Sequence, residues 1–293
     1  MTDNAIAAEP LKSKCIVMPL RPEAGQSFSG VGMGLHFMLG NIIVLHSGFE
    51  EMWFGWRYKK VFPDVGVFSD YVHRPDAPLD IVATGKTQKV RYWIEGWYRI
   101  TGDVVSTRLI FTDAETGRRI GDDRLTADPT DQYIGYRVDV MNWMASCGLA
   151  FPDVQAARVL WSEELPLPAL EVFGRGLEAY YIHTGFGGIG PVDLSLLDRA
   201  VAQAPHAYLP QDMRGWVLYK NQDYPAAAAA FRAAVDINPH GAGAMAGLMW
   251  LGVVAGNARE AYAWAEAKAE ACGTSIQDAR EKTTRLLKKQ AGK

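Results

Sequence analysis

Residues 213–239, MRGWVLYKNQDYPAAAAAFRAAVDINP, constrain the fold more than any other part of the 293-residue chain. The stretch holds two helical runs and a short polar turn, with Gly215 and Ala227 placed where two helix backbones can touch. Phe231 and Ala234 follow Ala227 at spacings of four and three, on one face of the second helix, and Pro239 closes the run. Such a pair cannot bury its apolar face alone and needs neighbours on both sides. Neighbours are legible. Ala261 lies 34 residues after Ala227, Pro205 lies 34 before Pro239, and residues 256–261 repeat the polar turn. The period predicts a helical array over 166–273. A last helix within 274–293 has a basic face of Arg280, Lys282, Arg285, Lys288 and Lys289, suited to capping the array against water.

Before the array the periodicity is that of strands. In KVRYWIEGWYRI, residues 89–100, Val90, Tyr92, Ile94, Gly96 and Tyr98 share one face. A turn at 101–103, a partner strand at 104–113, a turn at 114–117 and a third strand from Arg118 predict an antiparallel hairpin or meander. Residues 15–20 read as a buried strand stopped by Pro19. Leu35, Leu39, Ile42, Ile43 and His46 predict a buried helix over 32–45. Ile134, Val138, Met141, Trp143 and Ala145 predict a helix that covers the sheet. The expected organisation is a disordered leader at 1–13, an α/β domain with a mixed or antiparallel sheet at 14–165, and the all-α array behind it.

The central unit resembles the tetratricopeptide repeat (TPR) in Gly215, Leu218, Tyr224, Ala227, Phe231, Ala234 and Pro239, although Gln211 stands at the usual early tryptophan position. The flanking units are degenerate: the first has Tyr181 and Asp193 where small residues are usual, and the third keeps Gly256 and Ala261 but has Ala265 and Lys268. The resemblance implies a short array of two to three units that binds proteins. The part before it resembles the TolB amino-terminal-like domain of bacterial proteins. The residues that carry this are VMPL at 17–20 and the segment 90–120, with Glu95-Gly96, Gly102-Asp103 and the run Asp113-Ala114-Glu115-Thr116-Gly117. Residues 53–78 do not match. That family implies an α/β domain used in protein contacts or sensory regulation, often placed before TPR units, with no known active site.

Composition narrows the function classes. Hydrophobic residues make up 48% and charged residues 22%, with a formal net charge of -3, so no strong overall field attracts nucleic acid or an anionic membrane. Cys15, Cys147 and Cys272 are too few and too scattered for a disulfide framework or a paired-cysteine metal site. No apolar run approaches the ~18 residues of a membrane span, and the first residues lack a secretory apolar core. A cytoplasmic protein with no metal and no cofactor is expected.

Two sets of candidate site residues follow. Trp216, Tyr219, Tyr224, Met249 and Trp250 lie on the repeats, where rings and thioethers left exposed suit binding of another protein or peptide, or of a second copy in a homodimer. The alternative is a small-molecule or nucleotide sensor. It rests on Gly30, Gly32 and Gly34 ahead of a helix, on His36, and on the aromatic segment with Trp53, Trp56 and Arg57. The same glycines also suit close helix packing, and no Lys-Ser/Thr follows them. Catalysis has no visible carrier. Glu50-Glu51 and Glu163-Glu164 are adjacent, so on a helix each pair diverges, and no G-x-S-x-G elbow occurs. His36 and His46 stand ten residues apart on one helix, too far to share a metal.

Overall fold

The structure, a computed structural model, describes residues 14–46, 51–53, 80–88, 90–148, 163–185 and 188–292. The first half builds one mixed sheet. Its strands are β1 (Lys14–Val17), β2 (Arg21–Pro22), β3 (Glu51–Trp53), β4 (Tyr92–Thr101), β5 (Val104–Asp113) and β6 (Arg118–Ala127). The order is β3-β1-β4-β5-β6, with β2 also on β4. β1 runs parallel to β3 and β4, whereas β4, β5 and β6 form an antiparallel meander. The parallel pairing requires a crossover, and α1 (Val31–His46) lies in it between β1 and β3. The two hairpin turns follow their chemistry: Gly102 and Gly117 have φ of 62° and 72°, and Asp113 Oδ1 accepts from the Glu115 amide at 2.9 Å.

The face of β4 carrying Ile94, Gly96 and Tyr98 is covered, as its alternation requires. Among the described residues this half also holds the shorter helices α2 (Ile81–Gln88) and α3 (Ile134–Ser146). The face that α3 buries differs from expectation. Ile134 and Val138 are 37% and 39% exposed, whereas Tyr136, Arg137, Val140, Trp143 and Met144 are buried. The segment at 163–165 adds polar contacts on the buried side. Arg137 faces Glu163, its Nη2 4.0 Å from Oε2, and the Tyr133 hydroxyl donates to the Leu165 carbonyl at 2.8 Å. The buried residues Tyr136, Val140, Trp143 and Met144 are themselves spaced at three and four, so the helix turns this second, more aromatic stripe inward.

Seven helices follow: α4 (Leu167–Gly185), α5 (Ser195–Gln203), α6 (Tyr208–Lys220), α7 (Tyr224–Ile237), α8 (Ala242–Val254), α9 (Ala258–Cys272) and α10 (Ile276–Ala291). Successive helices pack on one another, and their caps recur with the period of the sequence. Asp223 caps α7 by accepting from the Ala226 amide at 3.1 Å; Asn257, 34 residues on, caps α9 by accepting from the Glu260 amide at 3.3 Å. The residues just before these caps, Gln222 and Gly256, are both left-handed, at φ 64° and 67°. The Phe231 ring of α7 fills the space over Gly215 of α6 and Gly247 of α8, where any side chain would collide with it.

α1 joins the two halves. It is buried over 31–43 and packs against α3 and α4, and also against α8 and α9. Phe37 of α1 meets Phe173 of α4 edge to face, 5.7 Å between ring centres. Buried apolar residues from Cys15 to Cys272 form one connected cluster.

Candidate functional site

The repeat helices bring three of the five protein-binding candidates together. Trp216 sits edge-on to Phe231 at 5.2 Å and to Tyr219 at 6.0 Å, and Tyr219 lies 5.7 Å from Tyr224. All three are half-buried, so their rings form a row from α6 across the turn to the start of α7. The row runs into a groove of about 230 Å³ between α7, α8 and α9. Tyr224 and Trp264 stand at its sides, Ala228, Leu248 and Leu251 line it, and Arg232 and Glu260 sit among them. Apolar lining with a few charges suits contact with an apolar group. Met249 and Trp250 are half-buried on α8 and do not line this groove; Met249 Sδ instead accepts from the Thr283 hydroxyl at 3.9 Å. Trp264 was not singled out by the repeat pattern, because the ring stands one turn beyond the small residue Ala261 on which that pattern relies.

The glycines of the sensor alternative are occupied by packing. A side chain at Gly30 would meet the Glu171 carbonyl, one at Gly32 the Leu20 carbonyl and the Tyr98 ring, and one at Gly34 the Leu170 side chain. The first turn of α1 is further held from the sheet: the Ser29 amide donates to the Tyr98 hydroxyl at 2.8 Å, and that hydroxyl donates to the Ser29 carbonyl at 3.1 Å. This helix start therefore abuts α4 and β4 rather than an open anion site. His36 is fully buried, its Nε2 3.2 Å from the Tyr181 hydroxyl, and burial lowers its pKa from 6.5 to about 3. The imidazole is thus a neutral core group at neutral pH. Trp53 lies on β3, paired to β1, with its side chain outside the described residues; Trp56 and Arg57 lie outside them altogether.

A second cluster was not anticipated. Glu163, Arg137, Tyr208 and Asp212 are buried side chains gathered where α3, the segment 163–166 and α6 meet. Glu163 Oε1 accepts from the Leu209 amide at 3.0 Å in the first turn of α6, and its other oxygen faces Arg137. Asp212 lies one turn further along the same helix, 0% exposed, with the backbone of Gly243 against its Oδ2. Burial raises the Asp212 pKa from 3.8 to about 7; Tyr208 and Trp216 oppose the rise and Glu163 adds to it. Burial lowers the Arg137 pKa to about 10, against the attraction of Glu163. Only Glu163 was visible in the sequence, as one of two adjacent glutamates; its partners sit 26 and 46 residues away in the chain.

No protein-family model matches the sequence, and no curated protein matches it. Among the described residues no group of three or more His, Cys, Asp or Glu is placed to hold a metal ion, and no helix is long and apolar enough to cross a membrane.

Proposed function

We propose that the chain is a protein-binding or scaffolding module without a catalytic site of its own, in which a TolB-amino-terminal-like α/β unit carries a short TPR-like array. The recurrence of caps and left-handed residues every 34 positions supports the TPR-like reading. The mixed sheet with a β1–α1–β3 crossover and a closing meander supports the α/β reading. The observation that carries the function is the row Trp216–Tyr219–Tyr224 ending in the groove beside Trp264. Half-buried aromatic rings next to an apolar groove give binding energy through anchors rather than through charge. The sensor alternative has less support, since Gly30, Gly32 and Gly34 are taken up by helix contacts.

The test is direct binding. A protein recovered with the full chain from source-cell lysate is purified and titrated by calorimetry against wild type, Tyr219→Ala, Tyr224→Ala and Trp250→Ala. Loss of a row residue is expected to weaken binding at least about tenfold, while Trp250→Ala, outside the groove, changes it less. Equal affinities for wild type and both tyrosine variants, with helicity intact, would sink the reading.

A further inference from the structure

We propose that the Asp212 carboxyl is a proton-operated clasp: as the neutral acid it lets α6 close against α8 and the 163–166 segment, and loss of its proton to solvent loosens that closure. The cluster holds two carboxyls and one guanidinium in a dry interior. Glu163 takes the favourable partners, Arg137 on one oxygen and the Leu209 amide on the other. Asp212 has neither. Both its oxygens are buried with no cation beside them; the groups that favour its anion are the Tyr208 hydroxyl and the Trp216 indole, on its own helix, and neither stands at good hydrogen-bonding geometry. From α8 it meets the Gly243 backbone, pressed so close that a methyl group there would strike Oδ2, so α8 offers it no charge. From the 163–166 segment it meets Glu163, a like charge. The remaining ionisable groups, Arg137, Tyr133 and Asp131, act on Glu163 and on one another. An anion at Asp212 would be buried, without a cation and beside another carboxylate, which is costly unless the group is neutral or the site opens.

The closure at stake is specific. Tyr208, one turn before Asp212 on the same face of α6, is fully packed, its hydroxyl accepting from the Ala244 amide of α8 at 3.4 Å. Opening that frees Asp212 therefore also frees the start of α8. The open form ionises near the ordinary carboxyl value and the closed form near 7. Between those values closing takes up one proton, so closure weakens as pH rises and levels off above the neutral range.

The experiment is hydrogen–deuterium exchange on the full-length protein, reading peptides of α6 and α8 from about pH 5 to about pH 8 and comparing wild type with Asp212→Asn. The opening equilibrium of wild type relative to the variant is expected to grow about tenfold per pH unit up to the neutral range, then stay level. A ratio that does not change with pH overturns the proposal. Isotope-edited infrared spectroscopy reads the wild-type carboxyl directly. A protonated acid at about pH 6 supports the clasp, and a carboxylate there overturns it whether or not the variant folds.

Discussion

Gly174 of α4 rests against the carbonyl of Gly30, the oxygen that accepts from the Gly34 amide at 2.9 Å and so begins α1. A β-carbon at 174 would overlap that carbonyl and lie 2.9 Å from the Gly34 nitrogen. Both obstacles are backbone and cannot rotate away. Gly174→Ala is therefore expected to cost about 3 kcal/mol or to abolish folding, the upper range of overpacking. Gly292→Ala is the control, because its new methyl would have ordinary contact at 3.6 Å. Urea midpoints decide it; a Gly174→Ala midpoint equal to the control would show that α1 and α4 do not meet in this way.

The turn before α7 carries a correctable strain. Gln222 is held at φ 64°, a region that disfavours a β-carbon, while its counterpart 34 residues on is Gly256 at φ 67°. Gln222→Gly is expected to stabilise by about 1 kcal/mol, net of the extra freedom glycine gives the unfolded chain. Its neighbour works in the other direction. Asp223→Ala removes the acceptor of the Ala226 amide and should cost about 1 kcal/mol. Thermal melts of the two single variants are predicted to move in opposite directions; a shared direction contradicts the geometry of this turn.

These two turns also show what the sequence could give. The 34-residue recurrence was legible because the same local requirement, small residues and a polar turn, is written twice in Ala227 and Ala261. The strand face of Ile94, Gly96 and Tyr98 was legible because burial and alternation agree there. The orientation of α3 was not. Two apolar stripes compete on it: the expected one leaves Ile134 and Val138 more than a third exposed, and the one with Tyr136, Val140, Trp143 and Met144 is buried. Periodicity alone does not choose between them, and it does not record that Arg137 is buried facing Glu163, 26 residues away in the chain. The same holds for Asp212, whose burial depends on the missing side chain of Gly243 on the next helix pair.

α10 presents charge where α8 presents apolar side chains. Leu248 and Leu251 of α8, with Ala255 just after it, line the groove that α7 and α9 bound. Their counterparts 34 positions later are Lys282, Arg285 and Lys289, all exposed. A further helix pair stacking there would bury three cations without partners on α10, which is strongly unfavourable. The triple variant Lys282→Leu, Arg285→Leu, Lys289→Ala restores the α8 pattern and is expected to self-associate at micromolar concentrations, as uncapped repeats do. Sedimentation velocity over a concentration series tests this. A variant that keeps the sedimentation coefficient of wild type throughout would mean that another feature closes the array.

His36 and Asp212 give the protein two opposed pH dependences. The folded state resists protonating His36 until about pH 3, whereas the unfolded chain takes that proton below 6.5. Stability from this group is thus present above 6.5 and lost as pH falls, by about 1.4 kcal/mol per unit. Asp212 has the reverse sign: the folded state keeps its proton up to about 7, and the unfolded chain releases it above 3.8, so stability falls as pH rises through that window. The windows overlap between 3.8 and 6.5, where the two slopes cancel in global unfolding. Each substitution should uncover the other group. Asp212→Asn is expected to make stability rise with pH across the overlap by about 1.4 kcal/mol per unit more than wild type, and His36→Phe to make it fall by the same increment. The double variant should return to the wild-type slope, since all remaining groups are common to the four proteins. Urea unfolding at several pH values within the overlap reads the slopes directly. Parallel profiles for wild type and Asp212→Asn would remove the carboxyl from this balance, and parallel profiles for wild type and His36→Phe would remove the imidazole.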